Sequence, residues 1–160
     1  MQDGYSTLVQ QIFQKLNEIK SMIATAESCT GGLISAAITN ENGSSTYFDR
    51  GFVTYSNQAK MEMLGVKKKT LQQFGAVSKE TATEMAQGAL QNSKADISVS
   101  VTGVAGPTGG TDEKPVGLVY IASLYNDNMI CRKYLFENKG RAFIRQETVK
   151  SALSMILEQL

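Results

Sequence analysis

Leu8, Ile12, Leu16 and Ile19 recur at helical spacing within Ser6 to Ile19, and Val9 and Phe13 widen the stripe. The spacing predicts an amphipathic helix with one apolar face for covering a sheet. The apolar run that starts at Met22-Ile23-Ala24 predicts a strand over about Met22 to Ala26. Small and polar residues follow through Gly32. Helical spacing then resumes at Leu33-Ile34-Ser35-Ala36-Ala37-Ile38, giving a helix that ends near Asn40. Asn42-Gly43-Ser44-Ser45 has the composition of a turn. Tyr47 to Tyr55 is rich in aromatic and β-branched residues, as a strand is, with Gly51 as the place for a bulge. Ser56 suits the N-cap of a short helix through Leu64, and Gly65 suits its close.

Lys67, Lys68 and Lys69 form a charge run that fits the solvated face of a brief helix ending at Gly75. Ser78 caps the next helix, where Ala82, Met85, Ala86, Ala89 and Leu90 make a narrow stripe of small residues suited to close packing. From Asp96 to Thr102, Ile97, Val99 and Val101 alternate with Ser98, Ser100 and Thr102. That pattern predicts a strand whose second face is small and polar. Val116 to Leu124 is nearly continuously apolar, as in a central strand covered on both faces. The Asn126-Asp127-Asn128 turn leads to Ile130 to Phe136, so these last strands form an antiparallel hairpin. A closing helix spans about Arg141 to Glu158 with the stripe Val149, Leu153, Ile156 and Leu160. Extended one turn back, the stripe passes through Arg145 and Arg141, which places both arginines toward the body of the protein. The expectation is α/β: a three-layer α/β/α domain over residues 1–160, on a mixed, mostly parallel sheet of about five strands ending in an antiparallel hairpin. Ser28, Tyr55 and Thr102 then fall at carboxyl ends of strands, where ligands bind in such sheets.

The charge balance of 16 basic and 15 acidic residues in 160 argues against a nucleic-acid or anionic-membrane surface. No apolar stretch approaches the roughly 20 residues needed to span a bilayer. Two cysteines and the absence of a signal-like start predict a cytoplasmic protein. There is no histidine, which removes Ser-His-Asp and Cys-His catalysis and the commonest zinc ligand together. No metal and no cofactor is expected, and proton transfer falls to Lys, Tyr, Asp, Glu or a thiol.

Chemistry concentrates at Thr25-Ala26-Glu27-Ser28-Cys29-Thr30-Gly31-Gly32, a strand-to-helix corner whose backbone N–H groups favour an anion or a developing oxyanion. Ser28 reads as a nucleophile or as a helix cap, and Cys29 as a second nucleophile or a small buried hydrophobe. Thr30, Gly31 and Gly32 fit cap and oxyanion roles equally. Lys60 stands on the helix that starts where the second strand ends; as a general base it would need burial to lower its pKa. Tyr55 would assist it. Gly103-Val104-Ala105-Gly106-Pro107-Thr108-Gly109-Gly110-Thr111 holds four of the 14 glycines, yet it is neither a Walker A sequence nor G-x-G-x-x-G. It is a tight turn or an anion-binding concavity. Arg141 and Arg145 suit a phosphate or carboxylate, and Glu27 is a possible partner for either.

Four stretches in fixed order carry a family resemblance. They are Thr25 to Gly32; Val53-Thr54-Tyr55-Ser56-Asn57-Gln58-Ala59-Lys60; Gly75-Ala76-Val77-Ser78; and Val101 to Pro107 followed by Glu113-Lys114-Pro115-Val116-Gly117. From about Leu8 to Leu157 the chain resembles the C-terminal domain of the competence and damage-inducible CinA family, the stand-alone nicotinamide-nucleotide amidohydrolases. The resemblance implies hydrolysis of the carboxamide of nicotinamide mononucleotide to nicotinate mononucleotide and ammonia, in pyridine-nucleotide salvage, by a homodimer. It implies Ser28 as nucleophile, Lys60 as its base and Tyr55 beside them. It also implies Ser45 and Thr102 lining the site and Arg145 suited to the phosphate. The molybdopterin-binding-like N-terminal domain of longer members lies outside the resemblance, so none of its activity is implied. Two other readings stay open: a nucleotide-binding or regulatory module without catalysis, and an amide hydrolase of other specificity with Cys29 as nucleophile.

Overall fold

A computed structural model of the chain describes residues 4–160. In chain order the elements are α1 (Ser6–Ile19), β1 (Ile23–Glu27), α2 (Leu33–Thr39), β2 (Phe48–Val53), α3 (Asn57–Leu64), α4 (Lys68–Phe74), α5 (Lys79–Gln91), β3 (Ile97–Gly103), β4 (Leu118–Tyr125), β5 (Asn128–Leu135) and α6 (Arg141–Gln159). The strands form one sheet in the order β2-β1-β3-β4-β5. β1 runs parallel to β2 and β3, whereas β4 is antiparallel to both of its neighbours, so four of the five strands point the same way. This is the mixed α/β/α arrangement that the alternation of patterns predicts. The closing hairpin turns on Asn126 and Asp127, both at positive φ (49° and 63°), as a two-residue type I′ turn requires.

The sheet divides the core in two because side chains alternate along each strand. Ile23 of β1, Ile97, Val99 and Val101 of β3, and Val119 and Ile121 of β4 meet the apolar faces of α1, α2 and α6. On the other face Ala24 and Ala26 meet Leu64, Val66, Met85 and Ala89, and Ala122 meets Ala82 and Ala86. The polar face of β3 lies under α5 and is satisfied there: Ser98 Oγ donates to Ala86 O (2.8 Å) and Ser100 Oγ to Ala82 O (2.6 Å). The alanine stripe lets the helix come close enough for these bonds, each worth about 1 kcal/mol net. Gly88 continues that closeness on another side. A Cβ there would overlap the Leu64 backbone, so the end of α3, and with it Lys60, is seated directly on α5.

Three local expectations are corrected. Gly51 is not a bulge; the register slips at Asp49, between the pairs Ile23–Phe48 and Ala24–Arg50. Gly51 is required instead by close approach, since a Cβ would run into the Ser35 and Thr25 hydroxyls, themselves 2.7 Å apart. The buried stripe of α6 runs back through Thr148 and Ile144, which leaves Arg145 half-buried and Arg141 exposed beside it. Glu27 pairs with neither arginine. The expectation for Lys67, Lys68 and Lys69 holds: all three are exposed.

Candidate active site

β1, β2 and β3 end together at one edge of the sheet, and a cavity of about 190 Å³ opens there. Ser28 follows β1, Tyr55 follows β2, and Thr102 and Gly103 close β3. Lys60 reaches in from α3, Arg141 from the first residue of α6, and Ala76 and Val77 from the loop before α5. Asn57, Cys29 and Ala105 complete the lining, which contains no carboxylate.

The Lys60 side chain passes through the core to this edge with only 1% of its surface exposed. Its Nζ lies 3.0 Å from Ser28 Oγ, 3.0 Å from Thr54 O and 3.3 Å from Tyr55 O. Burial pulls the Lys60 pKa below the usual lysine range. A neutral amine fits this site in a definite way. Its two hydrogens go to the two carbonyls and its lone pair is left for the Ser28 hydroxyl. Ser56, one residue beyond, caps α3 by accepting from Ala59 N (3.0 Å), which fixes where that helix begins. Cys29 is buried, and desolvation pushes its thiol up to about 12.

Glu27 has no exposed surface, and its carboxylate accepts four hydrogen bonds. They come from Thr30 Oγ1 (2.7 Å), Ile34 N (2.8 Å), Ser35 N (3.0 Å) and Ser35 Oγ (2.7 Å). The first turn of α2 is thereby capped by the strand that precedes it, a favourable place for a negative charge. These bonds also decide which corner donors are free. Gly31 N donates to Ser28 O and Leu33 N to Thr30 O, both at 3.1 Å, and Ser28 N donates to Val101 O at 3.1 Å. Among the described residues, the N–H groups of Cys29, Thr30 and Gly32 donate to no other residue, and of the three only Cys29 lines the cavity. Of the donors expected at Thr30, Gly31 and Gly32, only the Gly31 N–H is engaged inside the turn. Thr30 is wholly buried with its hydroxyl bonded to Glu27, a Cβ added at Gly32 would lie 3.6 Å from Val53, and none of the three residues lines the cavity.

The other anticipated residues separate into near and far. Tyr55 is 62% exposed on the rim, and its hydroxyl accepts from Arg141 Nη2 (3.1 Å) rather than meeting Ser28 or Lys60. Arg141 Nη1 donates to Gly106 O (2.9 Å), so Gly106 touches the site through its carbonyl. Thr102 is buried, donating to Ala76 O (2.8 Å), and ties the cavity floor to its wall. Arg145 lies on the outer side of the corner, bonded to Cys29 O and Thr30 O, and does not line the cavity. Ser45 is not brought to the site. It sits in the 3-10 turn Ser44–Thr46 that precedes β2, at the opposite end of the sheet from Ser28. The exposed Pro107-Thr108-Gly109-Gly110 segment also stays outside the lining. Sequence reasoning passed over Asn57 and Val77, which lie inside two of the stretches that carry the resemblance. Their only signal was position, just after a strand end and just before a helix cap.

Residues 5–160 match the family model described as the CinA C-terminal domain. The chain belongs to the CinA C-terminal domain family. It is 52% identical over 155 residues to a protein named CinA-like protein from Endomicrobium trichonymphae, covering 96% of this chain and 36% of that one. A competence-damage inducible protein of Caldicellulosiruptor bescii is 48% identical over 153 residues, covering 96% of this chain and 37% of the relative. The chain thus spans little more than a third of the curated relatives it matches. Among solved structures, competence/damage inducible protein CihA from Agrobacterium tumefaciens superposes with a TM-score of 0.94 at 49% identity, covering 96% of this chain and 93% of that one. A CinA superfamily protein from Escherichia coli gives a TM-score of 0.94 at 34% identity, covering 99% and 91%. The fold expected for a CinA domain is therefore the fold present. No helix among the described residues is long and apolar enough to cross a membrane.

Proposed function

We propose that this CinA domain is an amidase that hydrolyses the carboxamide of nicotinamide mononucleotide to nicotinate mononucleotide and ammonia. The observation that carries the reading is the buried Lys60 Nζ, 3.0 Å from Ser28 Oγ, in a chain without histidine. Neutral Lys60 accepts the Ser28 hydroxyl proton as Oγ attacks the amide carbon. The Cys29 N–H, next to the nucleophile and donating to no other residue among those described, donates to the oxyanion. Protonated Lys60 returns its proton to the leaving nitrogen, ammonia departs, and an acyl-serine ester remains. Water, deprotonated by Lys60, then cleaves the ester and frees the acid.

The cavity also suits the substrate. With Lys60 neutral, Arg141 is the charged side chain of the lining and no carboxylate opposes it, which favours an anionic ligand. At about 190 Å³ it is smaller than the roughly 300 Å³ at which typical ligand pockets begin, so it accommodates the pyridine carboxamide. The ribose phosphate then extends over the open mouth toward the exposed Arg141. The small apolar walls at Ala76, Val77 and Ala105 match an aromatic ring. Cys29 is a poor alternative nucleophile, since a thiol raised to about 12 holds almost no thiolate at neutral pH.

The test is ammonia release from nicotinamide mononucleotide, set against free nicotinamide and glutamine. Release from the nucleotide that falls by about 10³-fold or more in Ser28→Ala, but not in Cys29→Ala, is expected. Full turnover by Ser28→Ala would refute the nucleophile. No release from any of the three amides would favour a binding module instead.

A further inference from the structure

Arg145 stands one turn beyond Arg141 on α6, yet it faces away from the cavity that Arg141 lines. Its Nε donates to Cys29 O (3.1 Å) and its Nη2 to Thr30 O (3.0 Å). The guanidinium lies against Gly31, where an added Cβ would come within 3.4 Å of Nη2. The corner is therefore gripped from both sides. Glu27 engages its donors, and Arg145 engages two carbonyls that Glu27, an acceptor, cannot.

We infer that Arg145 is a positioning residue that orients the Cys29 N–H toward the oxyanion, and is not a ligand of the substrate phosphate. A trans peptide points its C=O and N–H in opposite directions, so a hold on one end aims the other. Arg145 Nη2 holds the carbonyl of the Thr30–Gly31 peptide. The N–H of that peptide donates to the carbonyl of the Ser28–Cys29 peptide at 3.1 Å. The N–H at the far end of this second peptide belongs to Cys29, which lines the cavity beside Ser28 and donates to no other residue among those described. Two peptides in series thus connect the guanidinium on the outside of the corner to one donor on the inside. A charge-assisted bond at the head of such a chain also polarises the bonds after it and strengthens the terminal donor. With Arg145 removed, both peptides can rotate, and the donor is no longer preorganised for the tetrahedral intermediate.

The inference rests on the amidase reading, and the experiment separates the two. Wild-type protein, Arg145→Ala and Arg145→Lys are assayed on nicotinamide mononucleotide, on nicotinamide riboside, which lacks the phosphate, and on the thioamide analogue of the nucleotide, whose sulfur accepts hydrogen bonds poorly. Arg145→Ala is expected to lower kcat by about 10²-fold on the nucleotide and the riboside alike, the usual cost of one oxyanion donor. KM should move by less than about threefold, since ground-state binding is untouched. The amide-to-thioamide rate ratio should shrink in the variant, whereas general loosening of the fold slows both substrates equally and leaves the ratio unchanged. Added guanidinium should restore part of the Arg145→Ala rate, and Arg145→Lys should fall between alanine and wild type. A defect confined to KM for the phosphorylated substrate, an unchanged kcat, or an unchanged thioamide ratio would each overturn the role given to Arg145. Absence of turnover by the wild-type chain would instead overturn the amidase reading, and the oxyanion role with it.

Discussion

Arg141 and Tyr55 meet across the mouth of the cavity: Nη2 donates to the Tyr55 hydroxyl at 3.1 Å, while Nη1 of the same guanidinium donates to Gly106 O at 2.9 Å. The two partners belong to different rims, one after β2 and one in the loop after β3. An arginine held this way is exposed, pre-aimed and bound only by neutral acceptors, which a phosphate can displace. Arg141→Ala is expected to raise KM for nicotinamide mononucleotide by about 10- to 100-fold. Turnover of nicotinamide riboside should change little. Equal loss on both substrates would show that Arg141 braces the rim and does not bind phosphate.

Lys60 is the largest fully buried side chain, and its charge is costly where it lies. Its folded pKa is lowered by burial, so between that value and the unfolded value near 10.4 the unfolded chain binds more protons than the folded one. By linkage, stability rises with pH through that window and the penalty is largest below it. Lys60→Met keeps the volume and removes the charge. It should stabilise the fold by about 1–2 kcal/mol at neutral pH, flatten this pH dependence and abolish turnover. Urea unfolding at two pH values measures it; a less stable Lys60→Met would mean that the three hydrogen bonds to Nζ outweigh desolvation.

The same group sets the acid limb of the rate. Turnover requires the free amine, so kcat/KM should rise with pH through the folded pKa of Lys60, on the low side of 10.5. With no histidine in the chain, no imidazole contributes a step near pH 6.5. A kcat/KM that falls, instead of rising, as pH increases through that limb would argue against lysine as the base.

Much of this was legible in the sequence, and the exceptions have physical reasons. Period-2 and period-3.6 patterns reflect burial, and burial is what built β3, β4, α1 and α5 where the patterns put them. The Ser28–Lys60 pairing was within reach mainly through the family resemblance; the absent histidine only narrowed the candidate bases and left Ser28 or Cys29 open as nucleophile. The identity of each hydrogen-bond partner was not legible. Glu27, Arg141 and Arg145 are all charged residues near one corner, and only the three-dimensional placement of Ile34 N, Gly106 O and Thr30 O sorts them into cap, rim and brace. Ser45 shows the converse limit: the resemblance implied a place lining the site, yet it lies before β2 at the opposite end of the sheet from Ser28. Gly51 and Gly88 read as breakers in one dimension, and are sites of close backbone approach in three.

Glu27 provides the most direct test of how the corner is built. Its carboxylate accepts from two backbone N–H groups at the start of α2 and from two hydroxyls, with no exposed surface. Glu27→Gln preserves the shape but turns an amide NH2 toward donors, leaving at least one buried N–H unsatisfied and removing the negative charge from the helix N-terminus. The expected loss is about 2–3 kcal/mol, a fall in Tm of roughly 5–10 °C. It should appear as a lower urea midpoint with an unchanged slope. Because Thr30 and Ser35 lose their anchor together, kcat should fall in the same variant while the Ser28–Lys60 pair stays intact. A stability change below about 0.5 kcal/mol would mean that the hydroxyls of Thr30 and Ser35 can cap α2 without the carboxylate.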